Sequence, residues 1–243
     1  MQPAIQLERL LQSQGFGSRK VCRELIRHGH VSVAGEEQTD PAKLFNPEDL
    51  VFQVDDETWE YRKQAYLMLN KPAGYECSRA PHHHPSVLAL LPEPLKQRGV
   101  QPAGRLDEDT TGLLLLSDDG DFIHRLIAPK RKVTKMYAVT AKHAVTAEMI
   151  QVLQKGVLLH DETYPVAAQA CEQTGEFTLN LTLSEGRYHQ VKRMLGAAGN
   201  RVASLRRIQV GGLVLPDDLA EGEWRWLTPA DLLRLQAESS SPA

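Results

Sequence analysis

The chain has 243 residues, 42% of them hydrophobic and 24% charged, with a formal net charge of −3. That length suits one large domain or two smaller ones, and the composition is that of an ordinary soluble globular protein. No run of about 18 apolar residues is present, which excludes a membrane-spanning helix, and the scattered Cys22, Cys77 and Cys171 form neither a disulfide framework nor a metal-ligand pattern.

The opening MQPAIQLERLLQSQG lacks the basic start and apolar centre of a secretory leader, so a reduced, cytoplasmic protein without a membrane partner is expected. Leu7, Leu10 and Leu11 recur at helical spacing, and Gly15 and Gly17 end that helix. Ser18 is placed to cap a second helix. On it Val21, Cys22, Leu25 and Ile26 form one face and Arg19, Lys20, Arg23 and Arg27 the other. HVSVAGE then reads as a short strand and turn. Residues 55–65, DDETWEYRKQA, are charged and aperiodic. The expected organisation is a small domain over 1–55, a linker over 56–65, a larger domain over 66–236 and a frayed tail over 237–243.

The larger domain begins with YLMLNKPAGY, a buried strand turned at Pro72-Ala73-Gly74. His82, His83 and His84 are adjacent on an extended stretch, where neighbouring side chains diverge, so no metal site is expected there. In QPAGRLDEDTTGLLLLSDDG, Leu113 to Leu116 read as a strand buried on both faces. Gly104 and Gly112 supply bends, which leaves Asp107 and Asp109 on a loop at the mouth of a rigid element. Asp109 is expected to cap the turn into Thr110 and Thr111. KMYAVTAKH is a further strand. Phe177, Leu179, Leu181 and Leu183 alternate with polar residues, as in a half-buried strand. Gly186 turns the chain into a helix with Val191, Met194, Leu195 and Ala198 inward, ended by Gly199-Asn200. His189, Lys192 and Arg193 project from its first turns. RIQVGGLVL reads as a hairpin, and Thr228-Pro229 opens a last helix. Strands outnumber helices and do not alternate with them regularly, so the fold class is α+β, with a largely antiparallel mixed sheet.

Charge is distributed unevenly. Residues 122–147 contain Arg125, Lys130, Arg131, Lys132, Lys135 and Lys142 with no acid, and residues 186–216 contain Arg187, Lys192, Arg193, Arg201, Arg206 and Arg207 with no acid. Local positive potential, not net charge, governs phosphate binding, so a nucleic-acid partner is compatible with a mildly acidic chain. No P-loop, dinucleotide fingerprint or metal-ligand spacing occurs, and no serine or cysteine nucleophile accompanies His189. Carboxylates act as nucleophiles or bases on glycosidic bonds, which keeps a cofactor-free and metal-free reaction open.

Two resemblances sharpen this. SRKVCRELIRHGHVSVAGE resembles the S4 RNA-binding module, with Glu8 as its typical opening acid. GRLDEDTTGLLLLSDDG resembles the signature of the pseudouridine synthases, whose catalytic aspartate falls on Asp107. KMYAV is similar to that family's second motif, with its tyrosine at Tyr137. EGRYHQVKRM is similar to the third, with its basic residue at Lys192 and Arg193 beside it. MLNKPAGY matches the usual start of the domain. The third motif looks like that of the small-subunit ribosomal RNA branch (Rsu family), since large-subunit relatives tend to carry Asn-Arg in place of Tyr188-His189.

The resemblance implies isomerisation of one uridine of 16S rRNA, at position 516, with the free rRNA or an assembling small subunit as partner. It implies no cofactor, Asp107 as the catalytic residue, and Arg105, Tyr137 and Lys192 against the substrate. Arg19, Lys20, Arg23, Arg27, Arg187, His189 and Arg193 are the expected RNA contacts. The reaction breaks C1′–N1, turns the uracil and forms C1′–C5, and Asp107 is open to attack C1′ or the ring or to take a sugar proton. A large-subunit enzyme, a non-catalytic ribosome-assembly factor and a hydrolase are the alternatives. A monomer is expected, because no heptad or exposed apolar segment argues for assembly.

Overall fold

The computed structural model describes residues 3–236, so the tail expected at 237–243 lies outside the described residues. The chain forms two compact units, one of residues 1–65 with 91–100, the other of 66–90 with 101–243.

In the first unit strand β1 (Ile5–Gln6) leads into helix α1 (Leu7–Ser13), followed by α2 (Arg19–Arg27). Strands β2 (Val31–Val33), β3 (Glu36–Glu37), β5 (Val51–Val54) and β6 (Glu57–Glu60) form an antiparallel sheet in the order β3-β2-β5-β6, and β4 (Leu44–Phe45) pairs with β1. Leu7, Leu10 and Leu11 pack with Cys22, Ile26, Val31, Val33, Phe52 and Val54. Ser18 caps α2 as expected, accepting from the Val21 N–H. Val21 itself is not inward: it is 48% exposed. Cys22 and Ile26 set the buried stripe, and Val21 sits one residue, about 100° of helix, to its side.

The expected linker also differs. Val54↔Glu57 through Val51↔Glu60 are in register, so residues 57–60 are a strand. Asp55, at φ 54°, makes the turn. Trp59 and Tyr61 are the residues of this stretch that pack on the core, too few to print a period on a charged sequence. Residues 91–100, expected in the larger domain, join the first unit through α3 (Glu93–Gln97). The Gln14 amide oxygen accepts from the Arg98 guanidinium at 2.9 Å, a contact 84 residues apart in sequence.

The second unit is built on a nine-stranded sheet. Its elements are β7 (Tyr66–Lys71), β8 (Gln101–Pro102), β9 (Thr111–Ser117), α4 (Gly120–Ile127), β10 (Lys135–Ala141), α5 (Ala147–Lys155), β11 (Ala170–Gln173), β12 (Thr178–Leu183), α6 (Gln190–Ala197), β13 (Val202–Val210), β14 (Leu213–Val214), β15 (Trp224–Trp226) and α7 (Pro229–Gln236). The order is β11-β12-β10-β13-β9-β7-β15, with β8 on β9 and β14 on β13. The class is α+β, as expected.

Every pairing is antiparallel except β13 with β9, which meet in parallel at Arg206↔Thr111 and Arg207↔Gly112. Gly112 makes that contact possible: a Cβ there would lie 2.2 Å from the Arg207 carbonyl oxygen, and its φ is +98°. Leu113 to Leu116 are fully buried, with helices on one side including α4 and α7 around Leu113 and Leu115. On the other half of the sheet, α5 and α6 cover Val139, Leu179, Leu181, Leu183 and Leu205. Phe177, expected inward, lies in the turn before β12 and is exposed. The Gly211-Gly212 hairpin and the Thr228 cap of α7 form as expected.

Candidate active site

Asp107 lies on the loop between β8 and β9, whose backbone is fixed from several sides. The Thr110 N–H donates to the Asp107 carbonyl at 3.2 Å, and the Gly74 N–H to the Glu108 carbonyl at 2.9 Å. Lys71, fully buried at the end of β7, donates its ammonium to the carbonyls of Pro72, Glu108 and Thr110 at 2.9, 3.0 and 2.9 Å. Burial lowers its pKa, with nearby acidic groups opposing. Two of the three bonds of this lysine thus go to the loop that carries Asp107. The sequence signal for it is a lone cation closing an apolar strand, YLMLNK.

The Asp107 carboxylate meets α6. Lys192 Nζ is 3.0 Å from one oxygen and His189 Nε2 3.3 Å from the other. Lys192 also holds Asp109, at 2.6 and 2.9 Å. Partial burial opposes the Lys192 charge, but hydrogen bonds to Asp109 and Asp107 hold its pKa above the usual lysine value. Partial burial likewise opposes the Asp109 carboxylate, and the Lys192 hydrogen bond and charge keep it below the usual value. Asp109 is therefore half of a carboxylate pair sharing one lysine, and it also accepts from the Thr110 hydroxyl at 3.5 Å at the turn where a cap was expected. His189 starts α6 at φ 47°. Its ring stacks on Tyr188 at 3.8 Å, and Tyr188 is 74% exposed.

A cavity of about 460 Å³ opens in front of Asp107, lined also by Arg105, Lys135, Tyr137, Lys192 and Arg207. Half-buried Tyr137 is in register with Arg207 across β10 and β13. One residue of β13 is left unpaired there, the kind of bulge that re-aims side chains beside a site. Asp107, Tyr137 and Lys192, the residues expected at the site, all line this cavity. Arg105 lines the same cavity but makes no ion pair with Asp107 among the described residues; Lys192 and His189 do. Lys135 and Arg207 went unremarked as site residues, although Arg207 falls two positions from Leu205 on an alternating strand.

The expected RNA contacts are more neutralised than their acid-free stretches imply. Arg187 pairs with Glu162 and Glu185, and Arg193 with Asp161. In the first unit, buried Glu8 takes Arg23 on both oxygens and lies 3.8 Å from Arg19, while Arg27 pairs with Glu24. Lys20 alone of those four has no acidic partner among the described residues. At the histidine run, the backbone N–H groups of His82, His83 and His84 converge on Glu76, which they hold down to about 2. The described residues bring no three His, Cys, Asp or Glu side chains together as metal ligands.

Residues 65–197 match the family model of RNA pseudouridylate synthases. The chain belongs to that family. The synthase also matches the S4 domain over residues 7–51. It is 40% identical over 228 residues to the ribosomal small subunit pseudouridine synthase A of Escherichia coli (strain K12), covering 94% of this chain and 98% of that one. It is 38% identical to an RNA pseudouridine synthase of Bacillus subtilis (strain 168), covering 94% and 97%. A crystal structure of a pseudouridylate synthase superposes with a TM-score of 0.68 at 36% identity, over 95% of this chain and 99% of that one. The protein is an RNA pseudouridine synthase, an isomerase.

Proposed function

We propose that this synthase converts one uridine of 16S rRNA, at position 516, to pseudouridine in the cytoplasm, acting as a monomer on the rRNA or an assembling small subunit, with Asp107 as the catalytic carboxylate. The observation that carries the assignment is the placement of Asp107: at a cavity of nucleoside size, with a lysine on one oxygen and a histidine on the other. Lys192 places a positive charge 3.0 Å from that carboxylate, and a carboxylate is what engages the sugar or the base. Tyr137 offers a ring face to the uracil and Arg105 a charge to its phosphate. The uridine must leave its stack to enter, at a few kcal/mol. Lys20 and the other basic side chains of α2 would offset that through phosphate contacts in the S4-like unit.

The small-subunit assignment draws on the name of the Escherichia coli relative and on Tyr188-His189, which form a stacked pair beside Asp107. Carbodiimide mapping of rRNA from cells with and without the gene tests it. The expected result is loss of one 16S signal at position 516 and its return with the wild-type gene but not with Asp107→Asn. A 16S map unchanged by deletion, with a 23S signal lost instead, would transfer the substrate to the large subunit.

A further inference from the structure

Among the described residues, no acidic side chain pairs with Lys135 or Arg207. Arg207 is 4% exposed. Its Nε donates to the Leu113 carbonyl at 2.7 Å, and its terminal amino groups have no partner among the described residues. Lys135 Nζ donates to the carbonyls of Val133 at 2.7 Å and Leu126 at 3.3 Å. Neither makes an ion pair among the described residues, whereas Lys192, in the same cavity, holds two carboxylates. By strand alternation Lys135 and Tyr137 share a face of β10, and Arg207 lies opposite Tyr137. Burial pulls the Lys135 pKa down to about 8, with the Arg207 charge adding to the effect. Burying like charges together without an anion is unfavourable, and a fold keeps such a pair where an anion arrives.

We infer that Lys135 and Arg207 form the counter-charge for the uracil at the moment it is detached from the ribose. The inference rests on Asp107 being the catalytic carboxylate. When C1′–N1 breaks, its electron pair leaves on the base, and uracil carries one negative charge shared by N1, O2 and O4. The electron-poor C1′ is answered by Asp107. The base then turns, C5 bonds to C1′ and the carboxylate is released. The proton on C5 departs to solvent, N1 gains one, and no oxidant, reductant or further reactant is consumed. The O2 and O4 carbonyls carry little charge before cleavage and much of the negative charge after it. Fixed cations beside them therefore stabilise the detached state more than the bound substrate, which is what accelerates a step. A backbone phosphate carries its charge throughout, and cations serving it would act on affinity instead.

The test uses the full chain in excess over unmodified 16S rRNA carrying tritium at uridine C5, with tritium release followed in a single turnover. Lys135→Met and Arg207→Met are each expected to slow the saturating rate by about ten-fold or more, a barrier change of about 1.4 kcal/mol. RNA Kd should stay within about two-fold, because the ground state is nearly untouched. Lys135→Arg should recover most of the rate. The melting temperature of Lys135→Met should stay near wild type, since removal of a half-buried charge offsets the loss of its bonds to the Val133 and Leu126 carbonyls. Arg207→Lys accompanies Arg207→Met, which also loses the bond to Leu113. Arg207→Lys, which keeps the charge, should retain most of the rate, whereas a saturating rate unchanged in Lys135→Met and Arg207→Met would overturn the inference. So would a weakened Kd with a shallower salt dependence and a rate restored at high enzyme, which assigns the pair to a phosphate. Asp107→Asn in parallel keeps the two readings apart: activity surviving there removes Asp107 from the chemistry, while the cation variants are judged against wild type.

Discussion

Glu8 in the first unit and Asp107 in the second are both carboxylates held between two basic side chains, and they differ in what they leave open. Glu8 is 6% exposed and is gripped by Arg23 through both oxygens, with Arg19 beside it. Asp107 takes one contact per oxygen, shares its lysine with Asp109, and keeps about 29% of its side chain exposed. An ionised carboxylate accepts about four hydrogen bonds. Each carboxylate takes one close contact per oxygen, but the Glu8 side chain is 8% exposed and enclosed by its own unit, whereas that of Asp107 faces a cavity. Enclosure marks a carboxylate that holds a fold together; an open side toward a cavity marks one available to a ligand.

If that distinction is right, Asp107→Asn should lower the single-turnover rate by about three orders of magnitude or more, with RNA affinity and melting temperature near wild type. Loss of folding instead, read by circular dichroism, would place Asp107 with Glu8. Lys71→Met comes next. It removes a donor from the carbonyls of Pro72, Glu108 and Thr110, of which Glu108 keeps the Gly74 N–H, so a loss of about 1–3 kcal/mol in denaturant melts is expected, together with a slower rate from a loosened Asp107 loop.

Glu8→Gln should lower the melting temperature while leaving the saturating rate intact. The hydrogen bond from Arg23 depresses the Glu8 pKa against the opposing effect of burial. A carboxylate depressed in the folded state contributes stability above its unfolded pKa, so this contribution is present at neutral pH and lost as pH falls below the ordinary glutamate value. Melts of wild type and Glu8→Gln from about pH 7 to 3 should therefore converge at the acid end. Lys20→Glu is the smallest effect: an affinity loss of a few-fold and a salt slope shallower by about one, with the saturating rate unchanged. It is a cleaner probe of the first unit than truncation at 55, which would strip α3 of its partners.

Elements with a strong local period were legible in the sequence: α1 through Leu7, Leu10 and Leu11, β9 through its four leucines, β12 and α6 through their alternation. The grouping of Asp107, Tyr137 and Lys192 around one cavity was also legible, because the motifs carrying them run in order. What stayed hidden depends on contacts between distant segments. Strand β6 faces the core through Trp59 and leaves no pattern. Residues 91–100 join a unit that ends 26 residues earlier in its main run. The ion pairs of Arg187 and Arg193 reach back to residues 161–162, so an acid-free stretch of sequence is not an unpaired surface. Lys135 and Arg207 looked like two more surface cations until the sheet register put them in one cavity.

The two-residue parallel contact between β9 and β13 has a bearing on how activity is acquired. Asp107 belongs to the block of β7, β8 and β9, and Tyr137, Lys192 and Arg207 to the block of β10 to β13 with α6. Each block closes by antiparallel pairing of its own strands, but the stitch between them joins positions 95 residues apart, Gly112 to Arg207. Such distant pairing forms slowly, because the long intervening chain must be ordered first. On refolding, most of the sheet's circular dichroism should return before turnover does, since the cavity in front of Asp107 is lined from both blocks and exists only once they have met.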